Sequence, residues 1–483
     1  MKSSDKVSKN IMWSVVERLC SQGMYFVVSV VLARVILPEL YGAVTIVTVF
    51  VNLCAVVVQS GFSSALIYSD GDDVRHYSTA FWGTLMVTGL LYIGMFLAAP
   101  AIASFYHNEP VLTVYIRVMS FQFVFQGIQS IPFAYVSKHM LFRHNYIATF
   151  IGVLGSGIIS ILLAVNGLGV WALIGLTSIE VVIATVILWL KVGFRIEPVF
   201  DVKIFKSLLQ YCWKLVAVDL LNSLYSGINS MIIGRKFSKS DVAYYNKAYN
   251  LPQSMFGSVN TAISKVLFPV FAEKDLKEKD RLRMVRSANR RINYILFPML
   301  LGLASVAPAF VIVLFTEIWS PMTLYLQIMC VVWLFQPVQT CAIQLFKAIG
   351  KSDAYLKLEI VKKICAVCIL VFFLFSFDNA IGIAWALLAG QLVSALLNVP
   401  FLKKYLGYSV RAQIQDFLSP LAISAVMVAM VSVTGTLVEN MLLKLVLQVF
   451  VGGVSYIIVS IVTKNEEFFY VLQMVKSTAL KRK

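Results

Sequence analysis

Few residues in this sequence are equipped for chemistry, and most of those lie inside long apolar runs. Asp219, Asn222, Ser226 and Asn229 recur at steps of three and four, which puts them in one stripe along a helix. Arg18, Gln22, Tyr25 and Ser29 form a matching stripe near the N-terminus. Asp219 stands about ten residues into its run, roughly 15 Å by helical rise and so near the middle of a bilayer. A charge at that depth costs at least ~2.5 kcal/mol on insertion scales and normally faces a cavity or a partner. The two stripes are read as the lining of a central cavity; the alternative is hydrogen bonding between packed membrane helices.

Arg34 and Arg235 close the ends of the same two helices, and Arg117 lies about two turns inside a third. Guanidinium groups bind phosphate and carboxylate bidentately, so these residues suit an anionic substrate; the competing role is snorkelling to lipid headgroups. Lys265 and Lys347, near the inner ends of the eighth and tenth runs, carry the same pair of readings. Gln126, Gln129, Gln336 and Gln339 have amides that suit sugar hydroxyls or a neighbouring helix equally well. Glu180 and Asp219 are the carboxylates placed for H+ or Na+ coupling, the alternative for each being a buried pair. No other cofactor and no metal is expected.

Several tempting motifs fail. Gly350-Lys351-Ser352 resembles the end of a phosphate-binding loop, but the glycine required upstream falls at Leu345. His139 and His144 are wrongly spaced for a helical metal pair, and the Cys365–Cys368 CxxC has no second pair to complete a zinc site. No nucleophile–base constellation appears in the sequence, so an enzyme is not expected.

The elements that must position these residues are membrane helices. Of 483 residues, 59% are hydrophobic and 13% charged, against about 25% charged in soluble domains; the mean hydropathy is +0.82. About 14 apolar runs are long enough to cross the roughly 30 Å hydrocarbon core: 11–35, 42–67, 79–103, 111–136, 146–166, 168–190, 210–233, 243–270, 292–316, 322–346, 356–376, 380–402, 414–436 and 441–463. Each is expected to be a helix, because a lone strand in lipid leaves its backbone unpaired. The first run is too long for a signal peptide and reads as a retained helix.

The net charge of +17, from 41 Lys+Arg against 24 Asp+Glu, is concentrated in alternate loops, above all between Lys274 and Arg291. That bias expects both termini in the cytoplasm, with Arg235, Lys236 and Lys239 as a basic cluster on the wrong side. Nucleic acid is not expected as a partner, since no soluble domain carries a basic face.

An internal repeat of roughly 200–210 residues organises the chain. Tyr115, Met119, Phe125, Gln126 and Gln129 recur without a gap as Tyr325, Met329, Phe335, Gln336 and Gln339. Trp13 and Arg34 recur as Trp213 and Arg235, and Gly169 and Trp171 as Gly382 and Trp385, each with one residue inserted. The expected architecture is an all-α polytopic membrane protein with two parallel-related six-helix lobes around a central cavity. Residues 1–191 form the first lobe, 192–209 an interfacial linker helix, 210–404 the second lobe, and 405–483 a terminal helix pair with a basic tail. In the linker Phe200, Ile204, Phe205, Leu208 and Leu209 share an apolar face suited to the membrane surface.

Further motifs carry a family resemblance. They include Leu32-Ala33-Arg34 with Leu37-Pro38-Glu39-Leu40-Tyr41-Gly42, Gly61-Phe62-Ser63-Ser64-Ala65-Leu66-Ile67, and Gly167-Leu168-Gly169-Val170-Trp171. In the second half they are Ile232-Ile233-Gly234-Arg235 and Ala243-Tyr244-Tyr245-Asn246-Lys247-Ala248-Tyr249. With these the chain resembles the Wzx-type polysaccharide flippases of the multidrug/oligosaccharidyl-lipid/polysaccharide (MOP) superfamily. The resemblance implies an undecaprenyl-pyrophosphate-linked oligosaccharide as substrate, moved from the inner to the outer leaflet of a bacterial cytoplasmic membrane by alternating access. It further implies membrane lipids and the polysaccharide polymerase machinery as partners. The competing functions are a multidrug or organic-cation exporter of the same superfamily, and a membrane glycosyltransferase or polymerase. Cationic candidates outnumber carboxylates here, against the first, and no long outer loop is present to hold the catalytic groups of the second.

Overall fold

The computed structural model describes residues 20–68, 73–106, 108–193, 195–272, 278–340, 343, 352–470 and 472–473, without the side chains of 60, 68, 214, 258–278, 281 and 352–355. Every long element among them is a helix. Eleven are long and apolar enough to cross a membrane, and Cys20–Val35 adds a shorter apolar helix. The chain is an all-α polytopic membrane protein, and it divides into two compact units, Met1–Ala243 and Tyr244–Lys483.

The first unit holds α1 (Cys20–Val35), α2 (Pro38–Ser60), α3 (Phe62–Tyr68), α4 (Val74–Phe105), α5 (Pro110–Ser120), α6 (Gln122–Lys138), α7 (Phe142–Val165), α8 (Gly169–Val192) and α9 (Val202–Lys236). Pro38 and Pro110 open α2 and α5, where proline's missing N–H costs nothing. Gly193, with φ 61°, ends α8 in the left-handed conformation that glycine adopts freely.

Two expected spans are interrupted. The run 42–67 breaks at Gly61, between α2 and α3. The run 111–136 tightens at Phe121, whose N–H donates to the Val118 carbonyl while its own carbonyl accepts from Val124 N–H. These three-residue bonds are the signature of a 3₁₀ turn within a helix.

Residues 192–209, read from the sequence as one interfacial helix, divide differently. α8 ends at Val192 and residues 195–201 form an irregular strap. From Val202 the chain is already α9, capped by Asp201, whose carboxylate accepts from the N–H groups of Lys203 and Ile204. Its 35 residues reach about 52 Å, well beyond a bilayer's hydrocarbon thickness. Protein covers part of the apolar face of its first turns: Leu208 and Cys212 are buried with Phe62, Tyr77 and Ile131, and Ile204 and Phe205 pack on the same cluster, while Phe200 and Leu209 stay exposed.

α10 (Lys239–Ala272) begins in the first unit and continues in the second. The second unit adds α11 (Glu278–Phe315), α12 (Met322–Leu334), α13 (Ser352–Ser376), α14 (Ile381–Leu406), α15 (Val410–Leu437) and α16 (Met441–Val462). Ser409 and Asn440 cap α15 and α16 through their side-chain oxygens, and Gly407 ends α14 with φ 65°. α15 and α16 pack on α11 and on each other, around Val306, Met427 and Val431.

Candidate functional site

α9 presents three faces. One packs on α2, where small residues let the backbones approach: a Cβ on Gly227 would lie 2.7 Å from Val49, and one on Gly234 2.8 Å from Ile46. A second face is apolar and exposed, formed by Trp213, Leu221 and Leu224. The third is the polar stripe. Asp219, Asn222 and Ser226 are exposed and Asn229 half-buried.

Both ends of α9 are fastened to the first unit. At its start the 195–201 strap is tied to α4: Glu197 N–H donates to Ser78 Oγ at 3.0 Å, Asp201 N–H to Thr79 Oγ1 at 3.1 Å, and Trp82 Nε1 to the Glu197 carbonyl at 3.0 Å. Phe205 then stacks on Phe62, ring centroids 5.4 Å apart. At its end Tyr106 Oη donates to the Met231 carbonyl at 3.4 Å, and the Arg235 guanidinium lies 5.3 Å from the Phe105 ring centroid. Lys239, just beyond, reaches Glu109 at 2.5 Å and Glu39 at 3.5 Å. Of the basic cluster, Lys239 is thus paired with two carboxylates.

The other expected residues of this unit fall in several places. Arg117 is half-buried against α4, its Nε donating to the Phe96 carbonyl at 3.3 Å and its guanidinium 4.0 Å from the Phe96 ring centroid. Arg34 is exposed at the end of α1 and Gln22 half-buried on it. Gln126 Oε1 is buried with no hydrogen-bond partner, and Gln129 is half-buried one turn on. Glu180 is half-buried on α8, beside the close α7 contact in which a Cβ on Gly152 would stand 3.1 Å from the Glu180 carbonyl. Arg18 lies outside the described residues.

In the second unit Gln339 Nε2 donates to Gln391 Oε1 at 2.6 Å and its Oε1 accepts from Ser394 Oγ at 3.2 Å, which joins it to α14. Gln336 is half-buried. Lys347 lies outside the described residues, as does the side chain of Lys265.

Two ionic groups here went unread in the sequence. Arg286 on α11 clasps Asp416 on α15, and Tyr408 Oη donates to the same carboxylate at 2.6 Å. Arg290 and Arg291 meet Glu467 beyond α16 at 3.4 and 3.2 Å. Burial lifts the Glu467 carboxyl above the ordinary glutamate range, although both arginines pull it the other way. The second group is Lys362 with Glu359 on α13; its signal was in the sequence, a Glu and a Lys three apart within the expected span 356–376.

This arrangement of helices is that of the MOP-superfamily transporters. The solved structure "Lipid II flippase MurJ, inward closed conformation" superposes with a TM-score of 0.74 over 94% of this chain and 99% of that one, at 15% identity. The family model described as "Polysaccharide biosynthesis protein" matches residues 31–324, and the chain belongs to that family. Among curated proteins it is similar to "Succinoglycan biosynthesis transport protein ExoT" of Rhizobium meliloti (strain 1021), 22% identical over 98% of this chain and 96% of that one. It is similar also to "Lipopolysaccharide biosynthesis protein WzxC" of Escherichia coli (strain K12), at 24% over 88% and 86%. The protein is thus a multi-pass membrane protein of the polysaccharide biosynthesis family, with the fold of that solved flippase.

Proposed function

We propose that this chain is a flippase that carries undecaprenyl-pyrophosphate-linked oligosaccharide repeat units from the inner to the outer leaflet of a bacterial cytoplasmic membrane. The observation that carries the reading is α9. Asp219, Asn222 and Ser226 are exposed along a membrane helix whose adjoining exposed face is Trp213, Leu221 and Leu224. Polar groups left uncovered at membrane depth belong with a hydrated or polar cargo, and an apolar face beside them suits a cargo with a hydrocarbon tail. Both relatives bear polysaccharide names, which favours a sugar headgroup over an organic cation.

In this reading the duplicated halves, 1–191 and 210–404, alternate access to the two leaflets, and both termini lie in the cytoplasm. Arg34, Arg117 and Arg235 serve the anionic part of the cargo; Gln22, Asn222, Asn229 and the four repeated glutamines serve its sugars. Arg18, Lys265 and Lys347 stay with that proposed set. Product passes to the polymerase machinery, and the chain itself performs no covalent chemistry.

The test is the sidedness of fluorescent lipid-linked oligosaccharide in proteoliposomes. Wild-type protein is expected to translocate it, and Arg117→Ala with Asp219→Ala to lose that activity while remaining folded. Persistent translocation in the double variant removes these residues from the site. Absence of translocation by the wild type, with export of organic cations instead, overturns the reading.

A further inference from the structure

The segment that follows α16 has no part in the function proposed above. α16 has 22 residues and rises about 33 Å, which fills the roughly 30 Å hydrocarbon core. The residues just beyond it therefore stand at the membrane boundary. Lys464 takes the left-handed conformation, φ 46°, and the N–H of Asn465 returns to the Ser460 carbonyl at 3.0 Å, which closes the helix. Asn465 then opens a new turn. Its Oδ1 accepts from the N–H groups of Glu467 at 2.9 Å and Phe468 at 3.3 Å, and residues 466–470 are helical.

One side of this turn is held by protein. Glu467 is 6% exposed between Arg290 and Arg291, and the Arg291 guanidinium lies 3.5 Å from the Tyr470 ring centroid. The other side is apolar and uncovered: Phe469 is 42% exposed and Leu472 39%, three residues apart and so on one helical face. Along the core of a bilayer such exposure is ordinary. At the boundary it would leave apolar area in water, which is unfavourable in proportion to that area.

The charges beside that face are mostly of one sign. Glu467 is taken up by the two arginines, and Glu466 is the other acidic residue of the segment. Against it stand Lys464, which is exposed, and by sequence Lys476, Lys481, Arg482 and Lys483. An apolar face with basic residues around it, set at membrane-boundary depth, is the pattern of a surface-lying membrane anchor.

We propose that the segment after α16 is a docking surface for anionic phospholipid. Lys464 and the basic residues that follow bind headgroup phosphate, while Phe469 and Leu472 enter the region where headgroups meet acyl chains. Depth and charge together select this occupant, since each basic residue near an anionic surface strengthens association about fivefold. The proposal does not depend on which cargo is carried. Because Glu467 and Tyr470 hold the segment to α11, bound lipid also braces the α11–α16 contact.

The experiment places the full chain carrying Phe469→Trp in vesicles of brominated phosphatidylglycerol or brominated phosphatidylcholine, at equal bromine content. The wild type, with its eight tryptophans, supplies the background to subtract. Quenching in mixed vesicles gives the relative association of the two lipids at that position. The added tryptophan is expected to be quenched, with phosphatidylglycerol preferred and the preference shrinking as salt rises. Adding Lys464→Gln is expected to lower the preference about fivefold. Lys279→Gln removes the same charge about 18 Å from Arg291 along α11 and is expected to leave the preference unchanged. Should Phe469→Trp fold poorly, Leu472→Trp reports on the same face. Absence of quenching overturns the proposal and leaves the face to a protein partner. Equal association of the two lipids, or equal effects of Lys464→Gln and Lys279→Gln, also overturns it.

Discussion

Arg286 and Asp416 face each other as a fork on a fork: Nε donates to Oδ2 at 2.7 Å and Nη2 to Oδ1 at 3.0 Å. They lie 130 residues apart in sequence, and between them they fasten the terminal helix pair to α11. Asp416 is 3% exposed and Arg286 about a third. Removing the carboxylate therefore strands a partly solvated cation. Asp416→Asn is expected to cost about 2–3 kcal/mol, read as a lower thermal unfolding midpoint in detergent. Adding Arg286→Gln is expected to restore part of the loss, and a double variant no better than the single one shows that the pair does not hold the helices.

Gly42 marks the closest backbone approach in the first unit. A Cβ there would lie 1.8 Å from the Lys239 carbonyl oxygen, a backbone atom at the head of α10 that has little room to yield. Gly42→Ala is expected to destabilise by at least about 2 kcal/mol, whereas Gly89→Ala, with nothing within 4 Å, is expected to be silent. Equal midpoints for the two variants contradict this packing.

The polar stripe of α9 separates function from stability. Asp219 and Asn222 are exposed, so Asp219→Asn with Asn222→Ala is expected to leave stability within about 0.5 kcal/mol of wild type while lowering translocation. Leu208→Ala, on the buried face, is expected to do the reverse and cost about 2–4 kcal/mol. Both variants need one unfolding scan and one transport assay each.

Glu467 lies beyond α16, and burial raises its carboxyl pKa. A carboxyl raised in the folded state binds its proton more tightly there than in the unfolded chain. It therefore favours folding below the ordinary value of about 4.3, and that contribution is lost as pH rises through the raised value. Glu467→Gln is expected to flatten stability against pH in that window, measured by unfolding midpoints across mildly acid pH. An unchanged profile rules out Glu467 as the titrating group.

Much of this was legible because lipid demands so much of a sequence. Apolar runs bounded by charges located the helices, and the Tyr115–Gln129 and Tyr325–Gln339 repeat pointed to a duplicated transporter. The break at Gly61 was passed over, because the apolar run 42–67 continues across it. Phe121 did not, since nothing in its residue type calls for a 3₁₀ turn. The basic cluster at Arg235–Lys239 looked anomalous because its compensation is distant: Glu39 and Glu109 are paired with Lys239 only by the fold. Phe205 looked like a membrane-surface residue because a helix wheel cannot tell lipid from the ring of Phe62. The stripe residues were found by spacing alone, whereas Glu359 and Lys362 had the right spacing and were passed over among the charges at a helix end.

The Lys239 contacts also set an order of assembly. Glu39 and Glu109 leave the ribosome long before their cation, which follows Glu109 by about 130 residues; at ~5–20 residues per second that is a wait of roughly 7–26 s. For that interval two carboxylates and the Gly42 surface stand open at the growing protein's edge. Unit 1 cannot close when its first eight helices have been inserted. It closes when α9 and the head of α10 arrive, so a nascent chain stalled before residue 239 holds an unfinished first half, exposed to whatever quality control patrols the membrane.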